Sequence, residues 1–284
     1  MPPYPTPVLL YNGQLHPDDH FALPLPNRGL YFNDGFFETM VWADGTLRYL
    51  PQHWQRLQAA AAALGFTLPP QLASAPALAA TIGRFVEPYA EYARAAARVR
   101  LQLWRGGGGL YTPTTSRPDW LATLQPFTEH STPISRAAFA HSVRVAASPV
   151  SFCKGPNALT YVLAAREREQ RNLHEVLLLS GAGYVAEAVA AAVAWIRDNT
   201  IYCPALSSGC VLGTRLAHLR QVAQQLNIGW QEGLFVPDEL LAAEAVFTAN
   251  VAGIRAVQQV EEVAFQSEQH PLLVRLREAE APAG

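Results

Sequence analysis

The spacing of apolar and polar positions changes several times along the chain, and each change marks an element. Residues 8–13 read as a strand running into a turn at Asn12-Gly13. Asp34-Gly35 is a turn signal ahead of an aromatic-rich strand reaching Met40, and Ala43-Asp44-Gly45-Thr46 predicts a hairpin into a strand over 47–50. Over 52–64 the period becomes helical, with Gly65 as its C-cap, and an alanine-rich helix is expected over 76–97. Residues 98–105 alternate polar and apolar side chains, which predicts a half-buried strand with one cationic face. Gly106 to Gly109 is a run of four glycines, to be read as a flexible hairpin or as a loop that approaches a phosphate closely.

A further strand is expected over 118–126. The polar, breaker-rich stretch 128–133 then predicts a linker, dividing the chain into a smaller domain over 1–127 and a larger one over 134–284. In the second, strands are expected over 140–147, 175–179 and 184–196, and the helix over 158–170 has Leu159, Val162, Leu163 and Arg166 at helical spacing. Ser207 to Thr214 is a glycine-containing loop opening a helix, whose N-terminal amides and dipole suit a phosphate. A short helix over 238–243 and a strand from Ala245 to Thr248 follow. Helices and strands alternate throughout, so the expected class is α/β (α+β).

Composition narrows the function. Half the residues are hydrophobic, 15% are charged and the formal net charge is -2, which gives no basic footprint for nucleic acid. The proline-rich start has no signal-peptide pattern and no apolar run is long enough to cross a membrane, so a soluble, cytoplasmic protein is expected. Cys153, Cys203 and Cys210 lack paired metal spacing and read as buried thiols. His16 and His20 have H-x-x-x-H spacing, but Pro17 favours a loop over a ligand-bearing helix, and no metal is expected.

One residue stands apart: among 21 Lys and Arg residues, Lys154 is the sole lysine. An arginine stays protonated, whereas a lysine can present a neutral amine that attacks a carbonyl. Chance alone also leaves a lone lysine in an arginine-preferring chain. Its place in a loop at a helix entrance favours chemistry.

Several ordered stretches resemble the class IV aminotransferase family, the pyridoxal-phosphate enzymes of fold type IV. They are Arg28-Gly-Leu-Tyr-Phe-Asn-Asp-Gly-Phe-Phe-Glu-Thr, His53-Trp-Gln-Arg-Leu, the strand and glycine loop from Arg98 to Tyr111, Lys154-Gly-Pro-Asn, Gly183-Tyr-Val-Ala-Glu and Leu206-Ser-Ser-Gly-Cys-Val-Leu-Gly-Thr-Arg. The resemblance implies two domains, a small N-terminal α/β one and a larger C-terminal one, β-barrel-like with helices, and a homodimer. It implies that Lys154 holds pyridoxal 5'-phosphate as a Schiff base and moves the proton at the substrate carbon. Glu187 would face the pyridine nitrogen and keep it protonated. Arg56 would grip the phosphate, joined by the backbone at Val211, Leu212 and Thr214 and by Thr248. Tyr31, Arg98, Arg100 and Arg105 are the implied substrate contacts, the arginines as carboxylate partners or else ordinary strand cations. One departure concerns the five residues after Glu187, Ala-Val-Ala-Ala-Ala, where many members carry small polar residues and an asparagine.

The resemblance leaves the reaction open on a small amino substrate. Leu159 stands where branched-chain enzymes usually have tyrosine, and the loop from Arg105 to Tyr111 lacks the arginine and histidine of D-amino-acid enzymes. The loop looks most like that of 4-amino-4-deoxychorismate lyases, which release 4-aminobenzoate and pyruvate. Amino-acid transamination is the alternative, and a non-catalytic homologue is a third reading, motivated by Ala190, Ala191 and Ala192.

Overall fold

The computed structural model describes residues 8–89, 96–155 and 157–280. It forms two compact units, one of Met1–Thr128 with Cys153–Asn157, the other of Glu129–Phe152 with Ala158–Gly284. Lys154 therefore groups with the first unit, where its carbonyl accepts the Phe37 N–H at 2.9 Å. Pro156 of the lysine motif lies outside the described residues, as does the proline-rich start.

The first unit is built on a six-stranded sheet. In chain order its strands are β1 (Val8–Tyr11), β2 (Gln14–Pro17), β3 (Gly35–Ala43), β4 (Thr46–Leu47), β5 (Ala97–Arg105) and β6 (Pro118–Pro126), arranged β2-β1-β6-β5-β3-β4. Helix α1 (Arg28–Phe32) precedes β3, and α2 (Leu50–Leu64) and α3 (Ala75–Val86) follow β4. The strand expected over 47–50 is cut short because Tyr49 turns left-handed, φ 55°, and α2 begins at Leu50 with Pro51 in its first turn. The helix expected over 76–97 stops at Val86, with a 3-10 turn at Glu87–Tyr89; residues 90–95 of it are outside the described residues.

Because side chains alternate along a strand, β3 has two different faces. Phe36, Glu38 and Met40 are fully buried on the side of α2. Phe37, Thr39 and Val41 face the other way, in register with Gln102, Arg100 and Arg98 of β5. Gly35 lets the strands close: a Cβ there would meet the Leu103 carbonyl oxygen and lie 2.8 Å from Trp104 Cα. Gly35→Ala is expected to lower stability by roughly 1–3 kcal/mol, the usual cost of overpacking, read from the urea midpoint.

The second unit holds two five-stranded sheets. Its elements are β7 (Ala137–Phe139), α4 (Leu159–Gln170), β8 (Glu175–Leu179), β9 (Val185–Ala188), β10 (Ala192–Arg197), β11 (Thr200–Pro204), α5 (Thr214–Gln225), β12 (Gly229–Gly233), α6 (Pro237–Leu241), β13 (Ala245–Asn250), β14 (Gly253–Val257), β15 (Gln259–Val260), β16 (Val263–Ala264) and α7 (Pro271–Glu280). The sheet orders are β12-β11-β10-β13-β14 and β16-β15-β7-β8-β9. Leu219, Val222, Phe247, Ile254 and Leu273 form part of the core joining α5 and α7 to the first of these sheets.

Three expectations change here. The strand predicted over 140–147 is instead β7, three residues earlier. Beyond it the His141 and Ser142 amides donate to the Glu167 carboxylate, both at 2.9 Å, and so do not enter a ladder. The strand over 184–196 breaks into β9 and β10, where the Ala188 N–H turns back to the Ala191 carbonyl at 2.8 Å and the chain passes from one sheet to the other. The helical stripe Leu159, Val162 and Leu163 is present but exposed, at 62%, 60% and 41%. No described helix is long and apolar enough to cross a membrane.

Candidate active site

On the α2 side of β3, Glu38 is the centre of a buried ion cluster. Arg56 donates to it through Nε at 2.7 Å and Nη2 at 2.6 Å, a two-point fork, and His53 Nδ1 lies 2.6 Å from the same carboxylate. All three side chains are at most 2% exposed. Burial alone would push the Glu38 carboxyl up, but the Arg56 charge and the hydrogen bonds from His53 and Arg56 outweigh it and hold it at about 2. Burial also pushes His53 down, toward its neutral form. Arg56, expected to grip a phosphate, thus has a resident carboxylate that the sequence reading missed. The signal was available: a glutamate inside a buried strand requires a partner, and His53 and Arg56 lie three apart on one helix face.

Lys154 lies along the edge of β3, its carbonyl accepting the Phe37 N–H at 2.9 Å, and its charge is among those that lower the pKa of His53. Lys154 Nζ is 5.9 Å from the Phe37 ring centroid, and the Arg100 guanidinium sits 3.7 Å from the same centroid. Arg100 is half-buried and Arg98 exposed. Burial, then the Arg98 charge, lowers the pKa of Arg100, although it stays cationic. A cation held near the lone lysine on an aromatic platform suits a substrate bearing a carboxylate.

Arg105 does not join them. Its Nε donates to Asp34 at 2.9 Å, Nη1 to the Thr115 carbonyl at 3.4 Å and Nη2 to the Leu64 carbonyl, so its fork is engaged within the protein. Asp34 also binds Arg28 Nε at 2.9 Å. Arg28 Nη1 reaches the carbonyls of Gly108, Gly109 and Leu110 at 3.3, 2.8 and 2.6 Å. The glycine run therefore turns carbonyl oxygens toward a guanidinium, the opposite of a phosphate cradle, which needs N–H groups turned inward. Tyr31 is 55% exposed on α1.

In the second unit Glu187 is 4% exposed on β9. The Tyr161 hydroxyl donates to its Oε1 at 2.7 Å and the Val211 N–H to its Oε2 at 3.2 Å. The Leu212 N–H donates to the Phe152 carbonyl at 2.8 Å. The amides of Val211 and Leu212, expected to serve a phosphate, are thus committed to internal partners, because the loop uses them to hold Glu187 and the 152 segment. The start of α5 is what remains: Gly213 is its N-cap, no side chain caps it, and Thr214, 4% exposed, is its first residue. A Cβ on Gly213 would stand 3.0 Å from Ala192 Cβ, and Ala192 pairs with Ala249, next to Thr248. Gly213 thus packs on the sheet face that carries Ala192 and Ala249, and Thr248, 2% exposed, is the next residue along β13. Arg215 clamps this turn through a fork to Glu280, Nε at 2.8 Å and Nη2 at 2.7 Å, and through the Asn250 carbonyl at 3.3 Å.

The cysteines are inert by environment. Burial pushes Cys153 and Cys210 up to about 11 and Cys203 to about 12, so they remain thiols. Among the described residues no group of three His, Cys, Asp or Glu side chains is placed to hold a metal. His16 packs against the rings of Tyr11 and Phe21.

A family model for the amino-transferase class IV proteins matches residues 35–260, from the start of β3 to the end of β15. This chain belongs to that family. Its class IV relatives include the D-alanine aminotransferase of Bacillus licheniformis, 25% identical over 89% of this chain and 88% of the relative. The aminodeoxychorismate lyase of Bacillus subtilis (strain 168) is 28% identical over 61% of this chain and 60% of the relative. Among solved class IV structures, the 4-amino-4-deoxychorismate lyase of Pseudomonas aeruginosa has a TM-score of 0.81 at 26% identity, covering 95% of this chain and 97% of that one. The branched-chain amino acid aminotransferase of Escherichia coli has a TM-score of 0.82 at 19% identity, covering 96% and 93%, which establishes the shared fold. The two-unit α/β architecture is that of this family.

Proposed function

We propose that the chain is a pyridoxal-phosphate enzyme in which Lys154 is the covalent anchor, and that its reaction is 4-amino-4-deoxychorismate lysis. The residues fit such a cofactor. Lys154 supplies the amine, Glu187 a buried carboxylate of the kind that accepts a ring N–H, and Gly213-Thr214 and Thr248 a helix start and hydroxyls for a phosphate. Arg56 adds a guanidinium whose charge is already balanced by Glu38. When bound, the cofactor supplies an aldehyde that captures an amine and a ring that takes up electrons from the neighbouring carbon.

The observation that carries the substrate class is the Phe37 platform, shared by Lys154 and Arg100. Arg100 holds a carboxylate of the substrate, and Lys154 removes the proton from the carbon bearing its amino group. Loss of that proton and departure of pyruvate leave an aromatic ring, 4-aminobenzoate. The relatives named as lyases, at 28% and 26% identity, support this choice, as does the stretch from Gly106 to Tyr111, which has no histidine or arginine for a second carboxylate contact.

Incubation with aminodeoxychorismate is expected to release pyruvate and 4-aminobenzoate in equal amounts; their absence removes the lyase reading. Transfer from D-alanine or branched-chain amino acids to 2-oxoglutarate would instead establish a transaminase, the alternative supported by the D-alanine aminotransferase relative. No turnover of any of these, with cofactor bound, would establish the non-catalytic reading. Arg100→Leu is expected to raise KM about 10-fold or more with a smaller change in kcat, since a charged hydrogen bond of roughly 1.5–3 kcal/mol is lost. Steady-state kinetics decide it. A homodimer is part of the proposal, motivated by the exposed Leu159, Val162 and Leu163 stripe, and light scattering reads it.

A further inference from the structure

Glu187 receives hydrogen bonds from elements outside its own strand. On that strand and the turn after it, Ala188, Val189, Ala190, Ala191 and Ala192 have no polar side chain to offer. One donor is the Val211 amide, 3.2 Å from Oε2. Another is the phenol of Tyr161 on α4, 2.7 Å from Oε1, a charge-assisted contact. The Tyr161 ring is not free to swing. It packs against the buried cluster that includes Ala140, Val145, Ala164, Val176 and Ala186, so the core fixes where the hydroxyl points. We propose that Tyr161 is a positioning residue that sets the plane and the acceptor strength of the Glu187 carboxylate, and through it the hold on the cofactor's ring nitrogen.

The inference rests on the reading that Glu187 faces that nitrogen. Three features make the hydroxyl suitable. Burial, and then the Glu187 charge, pushes the phenol pKa up, so Tyr161 stays a donor at every working pH. A carboxylate has about four acceptor positions, so donors from two separate elements fix its orientation. The two donors sit on different oxygens, so rotation of the carboxylate breaks both bonds.

The test uses wild type, Tyr161→Phe, Glu187→Gln and the double variant, each titrated with pyridoxal phosphate. Tyr161→Phe keeps the packed ring and should melt close to wild type. It is expected to weaken cofactor binding about 10-fold, as loss of a hydrogen bond to a charged group implies. It should also shift the pH at which the bound cofactor's visible band fades. In the Glu187→Gln background the same change should have no further effect, because its target is gone. A purely structural tyrosine would weaken both backgrounds alike and leave the pH midpoint unmoved, which overturns the proposal. If Glu187→Gln shifts the midpoint and Tyr161→Phe does not, the proposal fails while the reading of Glu187 stands. If Glu187→Gln itself shifts nothing, that reading fails and takes the proposal with it. Should Tyr161→Phe not fold, 3-fluorotyrosine placed at position 161 is the second probe. Its stronger donor should move binding opposite to the loss of the hydroxyl, and no change would overturn the proposal.

Discussion

Lys154→Ala protein, loaded with pyridoxal phosphate and treated with borohydride, is expected to carry no covalent label, whereas wild type is labelled once per chain. The sequence contains one lysine, so no other ε-amine can substitute. Turnover is expected to fall by about 10³-fold or more, because the variant loses the covalent anchor and the group that moves the proton, and positioned acid–base groups alone contribute about 10²–10⁴-fold. Folding should survive, since the Lys154 contact with β3 is made by its backbone carbonyl, which alanine keeps. Lys154→Arg provides the sharper control. It retains the cation over Phe37 and removes the nucleophile, so it should be equally unlabelled. Equal labelling of wild type and either variant would remove Lys154 from the chemistry.

Glu38→Ala is expected to cost roughly 3–5 kcal/mol, the usual result of leaving a buried charge without its partner. The charge left behind is Arg56, 2% exposed, with His53 fully buried beside it. Urea unfolding at neutral pH measures the loss. The same cluster predicts acid sensitivity. Glu38 is held at about 2 in the folded protein, below its value of about 4.3 in an unfolded chain. Its contribution is therefore complete above about pH 4.3 and is lost as pH falls toward 2. His53 acts in the same direction and earlier: burial lowers its pKa, so the unfolded chain begins to take up that proton first, from about pH 6.5 downward. Wild type should thus lose stability in two stages on acidification, and the gap to Glu38→Ala should narrow below about pH 4. A constant gap from pH 7 to pH 3 would show that the Glu38 charge is not what Arg56 depends on.

Much of the fold was legible because period and punctuation are local signals. The aromatic-rich strand reaching Met40, the alternation from Arg98 to Arg105, and the helix ending at Gly65 each needed only a few neighbouring residues. The strand expected over 140–147 failed because its His141 and Ser142 amides go to Glu167, twenty-five or more positions away, a competition that no window can register. The site divides in the same way. Lys154 stood out by composition, and the family motifs pointed to Glu187 and Arg56. The motifs did not reveal that Arg56 is forked by Glu38, that the Val211 amide serves Glu187, or that Arg105 is held by Asp34, Leu64 and Thr115. Each is a choice of hydrogen-bond partner made by tertiary contact. Tyr161 carried no sequence mark at all, since a tyrosine on a helix is ordinarily packing.

Arg28 holds the segment after β5 by three main-chain carbonyls. A loop suspended in this way places few demands on the identity of its tip. Leu110, 77% exposed, can therefore be exchanged without disturbing the peg from which the loop hangs, whereas the Tyr111 ring meets Phe32, on which the Arg28 guanidinium rests. Descendants of this chain have a place to try new side chains while the Asp34 and Arg105 framework beneath stays constant. The same property makes residue 110 the natural position for a randomised library that seeks a changed substrate preference.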